Sequence, residues 1–207
     1  MAKKNKLLKD VFVTDTGKPY LRYETKDVGD IEFASITGKG IKLDTKNKYM
    51  SYKVSMIIPK AEAKRINDIR EALWDEYKPK GAKKKPANEL VYKHENGNIY
   101  INPHCATEFD DKQTVIGIVD CDGEVLDPEV YGRIGKGSTG YLSVNFTVYA
   151  EGVSMYLNSV QIMDFVPYAG GSGDGSGNFS KKEGKGLSGE KKFSKKSKKG
   201  KKKKSKK

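Results

Sequence analysis

A mainly β fold is what this sequence predicts: an OB-fold-like five-stranded antiparallel barrel with one inserted helix and a disordered basic C-terminal tail. Three observations carry that expectation. Apolar and polar residues alternate through 49–58 and again through 140–150, the period of a half-buried strand. One stretch after Pro59 instead repeats its apolar residues every three or four positions, the period of a helix. Beyond residue 169 the only larger apolar residues are Phe179, Leu187 and Phe193, too few to offset the entropy of ordering the chain.

Taken in order, residues 31–36 make a plausible first strand. A loop carrying Lys39, Lys42, Lys46 and Lys48 leads to the second. There Met50, Tyr52, Val54, Met56 and Ile58 share one face, and Tyr49, Ser51, Lys53 and Ser55 the other. Pro59 suits a first helical position, because its ring presets φ where an N–H would have no partner anyway. Ala63, Ile66, Ile69, Leu73 and Tyr77 then form one stripe to pack on the sheet, and the helix ends before Pro79. Residues 78–112 read as a long irregular insertion. Residues 113–120 read as a strand followed by the turn signal Asp122-Gly123. In 140–150, Leu142, Val144, Phe146 and Val148 alternate with Tyr141, Ser143, Asn145, Thr147 and Tyr149. Glu151-Gly152 turns the chain into a last strand over 153–163. Five strands with a helix after the second point to a small antiparallel barrel, with a two-layer α+β sandwich as the alternative.

The charge is concentrated. The 207 residues carry 40 Lys+Arg against 27 Asp+Glu, a net charge of +13. Residues 170–207 hold fifteen lysines and three acids, so they contribute +12 and residues 1–169 only +1. The break is a Gly/Ser linker beginning at Gly170. The expected organisation is therefore one domain over 1–169 and a disordered Lys-rich tail over 170–207. Such a tail attracts nucleic acid; a solubility appendage or an address signal is the alternative. No apolar run approaches the ~18–20 residues that span a bilayer, and the opening Met-Ala-Lys-Lys-Asn-Lys lacks the apolar stretch of a signal peptide. Two cysteines, Cys105 and Cys121, cannot make a disulfide scaffold. An intracellular protein without membrane contact is expected.

Several clusters resemble catalytic motifs. Gly135-Lys136-Gly137-Ser138-Thr139-Gly140 fits G-x-G-x-x-G, but a dinucleotide site needs a helix N-terminus after it, and here a strand follows. A cationic loop in which Arg133 and Lys136 meet phosphates is the better reading. Asp120, Asp122, Glu124, Asp127 and Glu129 suggest a metal-dependent nuclease, yet they lie along one loop, whereas two-metal chemistry draws carboxylates from separate elements. His94, His104, Cys105 and Cys121 lack the paired spacing of a zinc site. No Ser or Cys has a triad or elbow context. No enzymatic turnover, metal or cofactor is expected.

The remaining signal is aromatic residues interleaved with basic ones. Tyr49 lies beside Lys53, and Tyr141 and Tyr149 flank Asn145 on the polar side of predicted strands. Such tyrosines often only pack across strands. A face of rings and ammonium groups is also what single-stranded nucleic acid requires, since bases stack on aromatics and phosphates attract lysine. In oligonucleotide-binding barrels, strands two and three with two loops form that face. The lysine loop at 37–48, with Lys39 and Lys42, lies in the corresponding place.

The run from Tyr52 to Lys60 entering a basic helix resembles a bacteriophage single-stranded-DNA-binding protein. So do Gly117-Ile118-Val119-Asp120 with Asp127-Pro128-Glu129-Val130-Tyr131-Gly132, and the strand over 140–150 leading to Leu157-Asn158-Ser159-Val160-Gln161. The resemblance covers roughly 31–165 and implies an OB-fold protein that coats single-stranded DNA in phage replication, recombination or repair. It implies contacts from Tyr131, Gly132 and Arg133 in the loop, and from Tyr141, Asn145 and Tyr149 on the strand. Phage replication or recombination proteins are further candidate partners, and a homodimer is one option for the assembly. The setting would be the cytoplasm of an infected bacterium. One feature departs from the family pattern: these proteins commonly end in an acidic, partner-recruiting tail, and this chain ends in lysines. The alternative function is a packaging protein that condenses duplex DNA through that tail.

Overall fold

The alternation that marks residues 140–150 and 153–163 becomes the longest hairpin of the molecule. The computed structural model describes residues 6–8, 10–14, 17–43, 49–109, 111–131 and 133–168. The linker and tail expected at 170–207 lie outside the described residues. After a 3-10 turn at Lys6–Leu8 come β1 (Val11–Val13), β2 (Pro19–Glu24), β3 (Gly29–Ser35) and β4 (Ser51–Ile57). Helix α1 (Lys60–Tyr77) follows, then β5 (Val91–Lys93), β6 (Ile99–Ile101), β7 (His104–Ala106), β8 (Glu108–Phe109), β9 (Lys112–Gln113) and β10 (Gly117–Val119). A single helical turn, α2 (Pro128–Tyr131), precedes β11 (Ser138–Val148) and β12 (Val153–Asp164).

Among the described residues ten strands join one sheet, and β8 and β9 form a separate hairpin. The order is β1-β2-β11-β12-β7-β4-β6-β5, with β3 pairing both β4 and β11 and β10 beside β12. Pairings therefore run in a closed circuit from β3 through β4, β7, β12 and β11 back to β3. This is more strand than the five-stranded antiparallel expectation allowed, and β7 and β10 lie parallel to β12. The circuit takes β7 in place of the strand expected at 113–120, of which Gly117–Val119 forms β10 and Gln113 ends β9. The insertion expected at 78–112 is likewise structural, since β6 and β7 both pair with β4. Three-residue strands are too short for alternation to register in a sequence. β2 went unread for a different reason: it pairs five residues of β11 from a stretch ahead of the first expected strand.

Inward residues of these strands make the core. Tyr52, Val54 and Met56 on β4, Leu142, Val144 and Phe146 on β11, and Val153, Met155 and Leu157 on β12 are all buried. Helix α1 adds Ala63, Ile66, Ile69, Leu73 and Trp74, each larger apolar side chain contributing about 1.5–3 kcal/mol. Trp74 donates its indole N–H to the Lys83 carbonyl at 3.0 Å, so it reports on folding rather than on the surface. Glu62, in the first turn of α1, is fully buried. Its carboxylate accepts the Tyr23 hydroxyl at 2.6 Å, the Lys26 N–H at 3.1 Å and Arg65 at 2.6 Å. Arg65 also reaches Asp27 at 2.8 Å. This cluster ties α1 to the β2–β3 turn, leaving the opposite side of the sheet uncovered by the helix.

Candidate nucleic-acid interface

Residues paired across neighbouring strands share a face of the sheet, so the register alone builds an outward row. Ser35 on β3 pairs with Lys53 on β4, Lys53 with His104 on β7, and His104 with Tyr156 on β12. Tyr156 pairs with Asn145 on β11, and Asn145 with Arg22 on β2. At about 4.8 Å per strand the row spans about 24 Å. Its sequence neighbours point inward and are buried, among them Val54, Cys105, Met155, Val144 and Leu21, which leaves the row to face solvent.

The row carries rings and cations. The Tyr156 hydroxyl donates to that of Tyr149 at 2.9 Å, with the two rings edge to face at 6.3 Å. His104 meets Tyr156 from the other side at 6.4 Å, and the Lys18 ammonium lies 5.1 Å above the Tyr149 ring, a cation–π contact. Burial, then hydrogen bonding with Tyr156, holds the Tyr149 phenol above its ordinary pKa. Arg22 and Lys53 have no carboxylate partner among the described residues. The Asn145 side-chain oxygen is buried without a hydrogen-bond partner. Such a surface offers flat faces for stacking and positive charge between them.

The sequence matches no protein-family model and no curated protein. Solved structures do match. The single-stranded DNA binding protein gp2.5 encoded by bacteriophage T7 superposes with a TM-score of 0.56 at 19% identity, over 78% of this chain and 98% of that one. The single-stranded DNA-binding protein from bacteriophage Enc34, in complex with ssDNA, gives 0.53 at 15%, over 82% and 97%. The chain shares its fold with these phage proteins. The fold resemblance read from the residues therefore stands, over nearly the whole length of both phage chains.

On this phage-type fold the expected contact residues separate into groups. Asn145 and Tyr149 meet Tyr156 directly, and Lys53 lies two strands away on the same row, beyond His104. Tyr141 shares the outward face but sits four residues along β11 from Asn145, opposite Gln161, in a cavity of about 280 Å³ with Glu24, Val119 and Ser159. Tyr131 packs its ring on Phe165 at 5.2 Å, so it is a packing residue here; Gly132 lies outside the described residues. Arg133 is exposed and lines a cavity with Thr37, Gly38 and Tyr52, at the end where the exposed Lys39 and Lys42 also lie. Lys136 is bound to Glu32 at 2.7 Å. Tyr49 is exposed just ahead of β4; Lys46 and Lys48 lie outside the described residues.

The expected contact residues leave out Tyr156, His104 and Arg22 of the row and Lys18 beside it. Tyr156 alternates with Met155 and Leu157 as clearly as Tyr149 does with Val148, and Tyr20-Leu21-Arg22-Tyr23-Glu24 alternates too, so a signal existed for both. His104 had none. The acidic cluster resolves into turn geometry. Asp120 accepts the N–H groups of Asp122 and Glu124, and Asp127 that of Glu129, each at 2.9 Å. His104 is exposed while Cys105 is buried, and burial pushes the Cys105 thiol up to about 11. The glycine run leads into β11 rather than a helix.

Proposed function

We propose that this protein binds single-stranded DNA on the outward row Lys53–His104–Tyr156–Asn145–Arg22, with Tyr149 and Lys18 beside it. The observation that carries the reading is the Tyr149–Tyr156–His104 ring cluster, set between Lys53 and Arg22 by strand register. Bases stack on the rings and phosphates meet the cations, neither contact reading sequence. The closed circuit of strands serves as an OB-type barrel in this reading, and Lys39, Lys42 and Arg133 extend the cationic surface past one end. The fold shared with the two phage proteins supports it.

The role is one of coating and protection during phage DNA replication, recombination or repair in an infected bacterium, without turnover. Replication or recombination proteins and a second copy are the partners to seek. The lysine tail adds non-specific affinity that falls steeply with salt through counterion release.

The test is a titration of the body ending at Ala169, which keeps every buried core residue, with oligo-dT at low salt. Tyrosine quenching and saturable binding are expected. A body with no affinity for single strands, beside a full chain that condenses duplex DNA, would replace this reading with the packaging one.

A further inference from the structure

The β5–β6 hairpin walls one side of an open groove of about 590 Å³. The groove is lined by Phe33 on β3, Ser55 and Ile57 on β4, Tyr100 on β6, and Asn96 and Asn98 in the hairpin turn. Tyr100 pairs with Ile57, which shares its face of β4 with Lys53 four residues earlier. The groove therefore continues the outward face about 13 Å along β4 from the row, within reach of one continuous strand.

Turn chemistry accounts for Asn96 and not for Asn98. The Asn96 side-chain oxygen accepts the Asn98 N–H at 2.9 Å, which closes the turn around Gly97 at φ 85°. The Asn98 carboxamide is exposed and has no hydrogen-bond partner among the described residues, so it is open to a ligand. It shares the groove with the Tyr100 ring, which is fixed by a stacked contact with Tyr92 at 5.6 Å and 25°. An aromatic ring and an unused amide stand together on the outward face, beside Ser55, whose hydroxyl donates to Asn102 at 2.5 Å.

We propose that this groove is a base-reading subsite for single-stranded DNA, in which an adenine packs against Tyr100 and Phe33 and pairs with the Asn98 carboxamide. The inference rests on the single-strand reading above and adds discrimination to it. A carboxamide presents a donor beside an acceptor, the complement of adenine's N6–H and N7. In an unpaired strand that edge is open to protein. The central row grips any base; the hairpin groove selects one.

The experiment compares the full chain on oligo-dT of about 16 nucleotides with the same oligonucleotide carrying dA at every third position. Amide resonances of 98 and 100, and of 145 and 156, are followed alongside affinity. The dA-containing strand is expected to bind on the order of tenfold tighter and to shift residues 98 and 100. N98A is expected to equalise the two affinities while retaining oligo-dT binding. Its unchanged circular dichroism melt would show the fold intact. Equal affinity of the wild-type chain for both strands, or a preference that survives N98A, overturns the subsite. If residues 145 and 156 shift in that case, the proposed function stands without it. If neither pair shifts with either strand, both readings fail.

Discussion

The hydroxyls of Tyr149 and Tyr156 meet at 2.9 Å beside the turn that closes the β11–β12 hairpin. That contact fixes two rings edge to face on the outward surface, beside the Lys18 ammonium and the His104 imidazole. Prefixed rings lose little side-chain freedom when a base stacks on them, the general advantage of preorganisation. Replacing Tyr156 by Ala is expected to weaken oligo-dT binding by about 1–3 kcal/mol per stacked base, and Tyr149→Ala likewise. Tyr149→Phe should retain most of the affinity. Unchanged affinity in the Tyr156→Ala body, by fluorescence titration, would make the cluster mere cross-strand packing.

Lys53 and Arg22 stand on either side of that cluster. If each meets one phosphate, Lys53→Ala and Arg22→Ala should each reduce the slope of log affinity against log salt by about 0.7. Titrations at several salt concentrations on the body ending at Ala169 read this slope without the tail. A slope equal to that of the unsubstituted body would remove the residue from the phosphate path.

Glu62 is the polar centre of the fold rather than of the site. Glu62→Ala strands the Tyr23 hydroxyl and the Lys26 N–H, and a loss of about 2–4 kcal/mol is expected. Glu62→Gln should lose less, since its amide oxygen still accepts one of them. Urea denaturation followed by Trp74 fluorescence measures both, because Trp74 is a buried residue of the same helix.

Alkaline stability follows from Tyr23 and Tyr149. Burial first, and then hydrogen bonding with Glu62 and Tyr156 respectively, raises both phenols above the ordinary tyrosine value. The unfolded chain therefore ionises before the folded one. The stabilisation is complete below about pH 10 and is lost as pH rises through the raised folded-state values. The denaturation midpoint should fall above about pH 10, and less steeply in Tyr23→Phe than in the parent. Equal steepness would show that Tyr23 does not contribute.

Gly140 sets how closely the long hairpin pairs. A Cβ there would lie on the Gln161 carbonyl oxygen, which is backbone and cannot swing away. Gly140→Ala is expected to lower the thermal midpoint by several degrees, as a cost of about 2 kcal/mol would in a domain of this size. A midpoint within one degree of the parent would mean that the strands separate there at little cost.

The sequence on its own determined the strands at 49–58, 140–150 and 153–163, the helix after Pro59 and the separation of charge between body and tail. Each of these is written in local periodicity or composition, which burial on one face imposes. It also placed Lys53, Asn145 and Tyr149 on polar faces, because alternation assigns a face without knowing the partner strand. Only the tertiary structure decided which of those faces meet. β7 carries His104 in three residues, too few for a period to register, and β2 brings Arg22 from a stretch far in sequence from Asn145. Tyr131, read as a contact, turned inward onto Phe165, and the supposed insertion became the hairpin that walls the groove. Strand pairing joins residues by hydrogen bonds between backbones distant in the chain, and no local pattern encodes that register. The row of rings and cations exists only once the register is set.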